Sequence, residues 1–175
     1  MDRNRSIRFE TKSGQLGASR SGGWIELDFP QEPPQEAPLP DGLLDALGTE
    51  ALWIGKDRFD YLVEIGLEET LRGLQPDFNK LGKVTARGII VTSRSSSGEY
   101  DFVSRFFAPA VGINEDPVTG SAYCCLGPYW KEKTGRAEMT VYRASEHGGV
   151  IMVRVTGERV RLGGKAVTVW KSDIL

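Results

Sequence analysis

The chain has 175 residues, enough for one good core or one domain with part of another. Apolar residues make up 39%, charged residues 26%, and the formal net charge is −2; this is the composition of a soluble globular chain, and the absence of a basic excess excludes wrapping of a nucleic-acid backbone. No run approaches the roughly 18 apolar residues of a membrane span, and Met1-Asp2-Arg3-Asn4-Arg5 leads into no apolar stretch of the kind a signal peptide needs.

Three short strands are predicted first, over 6–10, 15–20 and 24–29. In the third, Trp24, Glu26 and Asp28 alternate with Ile25, Leu27 and Phe29, the period of a half-buried strand. Pro30, Pro33, Pro34, Pro38 and Pro40 then mark an extended connection and the best candidate boundary, because proline resists both ladders and helices. A short helix is expected over 42–47, paired strands over 52–55 and 60–65, and short helices over 68–73 and 77–81. Strands over 86–92 and 100–107 flank a polar loop. The longest predicted helix covers 120–133, and strands over 137–142, 150–155, 159–162 and 166–170 close the chain.

That helix has an unusual composition. Ala122, Cys125, Leu126 and Tyr129 form an apolar stripe, yet Tyr123, Cys124, Gly127 and Trp130 make the opposite face apolar as well. A helix with no charge on any side for its first two to three turns is buried all round there, and a curved sheet wrapped around it is the economical solution. Pro128 removes the bond to the Cys124 carbonyl, so a kink or a change of register is expected there. Cys124 and Cys125, the only cysteines, are neighbours whose Cα atoms stand about 3.8 Å apart, too close for an ordinary disulfide. A reducing, cytoplasmic compartment suits them.

The chemistry concentrates in Glu115-Asp116-Pro117-Val118-Thr119-Gly120-Ser121-Ala122, where two acids precede the turn that opens the buried helix. Unpaired N–H groups of the first helical turn point back at that loop, and Gly112 and Gly120 allow close backbone approach. Thr119 or Ser121 can cap the helix or donate to an anion. Two readings stand side by side. The acids can merely compensate the helix dipole, worth about 0.3–1 kcal/mol. Alternatively, the helix entry holds a substrate carboxylate beneath Asp116. Glu115 reads as a solvent-facing or structural pairing group, and His147, the only histidine, as a turn residue. Buried cysteines are poor nucleophiles, and one histidine with two adjacent cysteines offers no metal-ligand spacing.

The string FFAPAVGINEDPVTGSAYCCLGPYW resembles the C-terminal signature of the phenazine-biosynthesis-like (PhzF-type) family, and IRFETKSGQL, GGWIELDFP and RVRLGGKAVTV are similar to its mid-chain strands and final hairpin. The resemblance implies an α+β, diaminopimelate-epimerase-like fold, a mostly antiparallel curved sheet wrapped around a central helix, with no cofactor and no metal. It places Asp116 at the catalytic acid, and Gly120 and Ser121, with Thr119, at the substrate-binding helix entry. Tyr123 stands where the family has a histidine. It further implies that residues 1–33 are strands completing a truncated first domain and that 34–175 form the C-terminal domain, because the family's GHAT-type turn and proton-carrying glutamate are not found. The expected function is isomerisation by proton transfer on a small carboxylated metabolite, such as a dihydro-hydroxyanthranilate. The isolated chain is expected to be incomplete, its candidate partners being a second copy, in a homodimer that covers the exposed sheet edge, or a separately encoded N-terminal half that supplies the glutamate. The alternative is a non-catalytic fragment serving in binding or oligomerisation.

Overall fold

A computed structural model describes residues 6–12, 14–21, 23–117, 119–166 and 172. The first strands are β1 (Ile7–Thr11), β2 (Gly14–Ser21), β3 (Trp24–Pro30) and the two-residue β4 (Gln35–Glu36). Helix α1 (Leu43–Leu47) leads to β5 (Trp53–Lys56) and β6 (Asp60–Glu64), then to α2 (Glu68–Gly73) and α3 (Phe78–Leu81). The antiparallel pair β7 (Gly88–Arg94) and β8 (Phe102–Ala108) follows, with the short β9 (Ile113–Glu115) folded back on β8. Helix α4 (Ala122–Thr134) precedes β10 (Glu138–Arg143), β11 (Gly149–Thr156) and β12 (Arg159–Gly164). The expected strand over 166–170 lies almost wholly outside the described residues.

Among the described residues the strands form one sheet in the order β1-β2-β3-β12-β11-β10-β8-β7-β6-β5-β4. Only β6–β7 and β8–β10 pair in parallel. The rest of the ladder is antiparallel, as a chain rich in tight turns requires. The α+β architecture, a large and mostly antiparallel sheet with several helices, is the one the sequence led us to expect.

Strands β6, β7 and β8 are buried on both faces. Leu62, Ile90, Phe102 and Phe106 pack toward α4, together with Val141, Val153, Val155 and Val160. Their neighbours Val63, Ile89, Val91, Val103 and Phe107 face the other way, against α1, α2 and α3. Near-continuous apolar runs are the pattern of strands covered on both sides.

Helix α4 is buried from Ala122 to Trp130 except for the half-buried Pro128. Trp130 stacks on Phe102 at 5.1 Å and donates its indole N–H to Thr92. The helix runs through Pro128 without a break. The Cys124 carbonyl that loses its helical partner there accepts instead from the Glu32 backbone N–H at 2.9 Å. The proline-rich connection therefore supplies the bond that the proline in the helix removes. Gly135, at φ 73, ends the helix in the left-handed conformation open to glycine.

Candidate functional site

The site begins where β8 ends. A 3-10 turn at Pro109–Val111 closes on Gly112, whose φ of 85 would strain any other residue. The chain then returns as β9, with a register shift between Phe107 and Ala108. This return delivers Glu115 and Asp116 to the mouth of α4. Glu115 is taken up by Arg105, which donates Nε at 2.9 Å and a terminal nitrogen at 2.8 Å to its two oxygens. Another terminal nitrogen of Arg105 reaches the Leu74 carbonyl at 2.8 Å. The pair fastens the loop to the segment after α2.

Asp116 is half-buried, and its backbone is held from both sides. Its N–H donates to Phe106 at 3.1 Å, and Arg143 donates to its carbonyl. Ser145 donates to the next carbonyl, that of Pro117, at 3.2 Å. The Thr119 hydroxyl donates to the Asp116 carboxyl.

The first turn of the helix is tight. Ala122, Tyr123 and Cys124 donate to Thr119, Gly120 and Ser121, each three residues back. The N–H groups of Gly120 and Ser121 form no hydrogen bond among the described residues. Ser121 occupies the N-cap position in a helical conformation and makes no side-chain cap. The expectation that Thr119 or Ser121 caps the helix is therefore corrected. The Thr119 hydroxyl is spent on Asp116. The Ser121 oxygen accepts from Arg87 at 3.2 Å, which leaves its own proton to donate. Arg87 is itself gripped by the fully buried Asp60, Nε to oxygen at 2.9 Å, and this carboxylate holds the guanidinium above its usual pKa.

Gly120 borders a cavity of about 290 Å³ whose walls are Ile25, Leu27, Tyr123, Ile151 and Leu162. A Cβ at Gly120 would meet nothing nearer than 3.9 Å, so the glycine leaves space there rather than relieving a clash. Tyr123 is fully buried, its hydroxyl 3.3 Å from that of Ser104, and burial pushes its pKa up. Burial, with Glu32 and Asp57 nearby, pushes the Cys124 thiol up to about 12, and burial likewise raises the Cys125 thiol well above its ordinary range. His147 sits exposed between β10 and β11. Among the described residues no group of three or more His, Cys, Asp or Glu could hold a metal ion.

The loop thus brings Asp116, Thr119, Gly120 and Ser121 together. Three contributors were missed from sequence: Asp60, Arg87 and Arg143. Of these, Arg143 carried a signal, since the period of β10 puts it on the same inward face as Met139 and Val141.

Residues 1–172 match the family model described as phenazine biosynthesis-like protein. An uncharacterized isomerase of Halalkalibacterium halodurans is 56% identical over 170 residues, 97% of this chain and 64% of its own length. Phenazine biosynthesis-like domain-containing protein 2 of Mus musculus is 37% identical, covering 98% of the chain and 66% of its own. A crystal structure of a PhzC/PhzF protein from Clostridium difficile superposes with a TM-score of 0.85 at 34% identity, over 98% of this chain and 65% of that one. The chain thus spans about 64% of the length of its Halalkalibacterium relative.

These matches overturn the expectation of a truncated C-terminal portion. The family model and the relatives are matched along nearly the whole chain as one PhzF-like domain. Dependence on a separately encoded N-terminal half is withdrawn, and so is the alternative of a non-catalytic fragment, which rested on the same argument.

Proposed function

The chain belongs to the phenazine biosynthesis-like protein family, and from that premise we propose that it is an isomerase that shifts a proton on a small carboxylated metabolite. Asp116 is its acid/base group, and the N–H groups of Gly120 and Ser121, with the Ser121 hydroxyl, bind the substrate carboxylate. The observation that carries this reading is the helix entry: two N–H groups with no hydrogen bond among the described residues, at the positive end of a buried helix, beside an acid fixed by Thr119 and opening on an apolar cavity. Such an arrangement binds an anion and keeps the reacting carbon dry. The Halalkalibacterium relative carries the word isomerase in its name, which agrees with it.

Among the described residues no helix is long and apolar enough to cross a membrane. The two buried free thiols fit the cytoplasm as the proposed location.

The test is solvent-deuterium incorporation into a dihydro-hydroxyanthranilate, followed by mass spectrometry with the purified chain. Asp116→Asn is expected to lower kcat by about 10²–10⁴-fold, and Ser121→Ala to raise KM with a smaller effect on kcat. Wild-type incorporation that survives Asp116→Asn, or no incorporation by the wild type, would refute the assignment.

A further inference from the structure

Arg143 is the one charged residue in the inward row of β10, following Met139 and Val141 toward α4. It is 1% exposed. The buried acids have cations of their own: Asp60 has Arg87, Glu64 has Lys133, and Glu68 has Arg72. Arg143 forms no ion pair among the described residues. One terminal nitrogen donates to the Asp116 carbonyl, and Nε has no hydrogen-bond partner among the described residues. Its charge bears on Tyr123, where it opposes the effect of burial on the phenol. A buried guanidinium without an anion is costly, because desolvation is not repaid by an opposite charge. In a native structure such a group calls for an explanation, and a bound anion supplies one.

A place for that ligand exists. Arg143 lines a cavity of about 550 Å³ together with Lys165, Trp24, Gly148 and Gly149. Lys165 Nζ sits 5.0 Å over the Trp24 ring. Ile151, Gly164 and Lys165 belong both to this cavity and to the apolar one bordered by Gly120, so the two are contiguous. A further cavity of about 510 Å³ also contains arginines, but those are paired: Arg136 with Asp101, Arg154 with Glu138, and Arg161 with Glu26. Among the described residues Arg143 is the buried cation without an ion pair, and its cavity adjoins the helix entry.

We propose that the Arg143–Lys165 cavity is a second anion subsite, so that the ligand carries two acidic groups: one carboxylate at the Gly120–Ser121 entry, an apolar body between, and a second carboxylate or a phosphate at Arg143. The guanidinium and the ammonium suit either oxyanion. The inference rests on the helix-entry reading of the proposed function and adds the ligand's second charge.

The experiment is calorimetric titration of the full chain with benzoate, isophthalate and 3-phosphonobenzoate, which share one ring and one carboxylate. Isophthalate or 3-phosphonobenzoate is expected to bind at least about tenfold more tightly than benzoate, the scale of a charge-assisted hydrogen bond in a buried site. The tighter of the two identifies the oxyanion. Arg143→Gln is expected to bring the dianions down to the benzoate affinity while benzoate changes less than about twofold, and Arg143→Lys to restore part of the preference. A purely structural arginine would shift all three ligands alike. Ser121→Ala is expected to weaken all three alike; if it does not while the Arg143 effect stands, the helix-entry reading fails alone. No dianion preference in the wild type, or a preference untouched by Arg143→Gln, overturns the subsite. Should Arg143→Gln fail to fold, the exposed Lys165→Gln serves instead: a reduced dianion preference supports the subsite, and an unchanged one overturns it.

Discussion

Glu68, at the start of α2, is a carboxylate with five donors. Arg72 gives Nε at 2.8 Å and a terminal nitrogen at 2.6 Å, Ser95 and Ser96 each give a hydroxyl at 3.0 Å, and Ser96 gives its N–H at 2.7 Å. Burial alone would raise its pKa; the Ser96 N–H, then Arg72 and the two hydroxyls, outweigh it and bring it from 4.5 down to about 2. The folded pKa is depressed, so the stabilisation is complete above the unfolded value of 4.5 and is lost as pH falls from there toward about 2. Allowing for the partly exposed Arg72, it amounts to about 2 kcal/mol. Urea unfolding is expected to show Glu68→Gln less stable by about that much at pH 7, with the gap closing as pH falls toward 2. A gap that does not change with pH would show that shape, not charge, is responsible. Asp116, Thr119, Gly120 and Ser121 could be named as candidates from sequence because they fall within one six-residue stretch, so a turn chemistry argument reaches all of them. Asp60, Arg87 and Arg143 come from three other strands or loops, and only the folded register brings them to the helix entry.

At the scale of elements, α4 shows how closely helix and sheet approach. A Cβ on Gly127 would lie 3.1 Å from Val155 and 3.3 Å from both Val153 and Val160. Gly127→Ala gains about 1 kcal/mol of helix propensity. It also drives a methyl into three branched side chains on adjacent strands, and such overpacking costs about 1–3 kcal/mol. Since the valines are held by strands on either side, the packing cost is expected to win, with a net loss of about 1 kcal/mol in chemical denaturation. A stabilised variant would show that the sheet yields. The burial of α4 from Ala122 to Trp130 was legible because that stretch carries apolar residues on every face. Its continuity through Pro128 was not legible, because the rescuing donor, Glu32, lies 92 positions earlier (124 − 32) in a segment that reads as a mere connection. Strands β4 and β9 were missed for a simpler reason: two and three residues give no alternation to count.

Across the whole molecule, protection is graded from the middle of the sheet outward. Every residue of β8 is buried, and β7 is buried except at Arg94, because α4 covers one face and α1 to α3 the other. Among the described residues β1, at one end of the sheet, pairs only with β2, and all five of its residues are exposed, Ile7 and Phe9 among them. β3 is intermediate, joined to β12 through a six-residue register and fastened by Arg159, which donates to the Asp28 side chain at 2.9 Å and to the Asp28 and Gln15 carbonyls. Local opening of β1 breaks one ladder and exposes little new apolar surface, whereas opening β8 disrupts both cores. Native-state hydrogen exchange read by NMR is therefore expected to rank the bonded amides β8 and β7 slowest, β3 and β12 next, and β1 fastest. The two extremes should differ by at least about a hundredfold, roughly 2.7 kcal/mol of opening free energy. Arg159→Ala removes three bonds from β12, two to β3 beside it and one to β2 beyond, and should speed exchange in β2 and β3 while leaving β7 and β8 unchanged. If β7 and β8 accelerate equally, the sheet opens as a single cooperative unit, and the gradient drawn from burial is wrong.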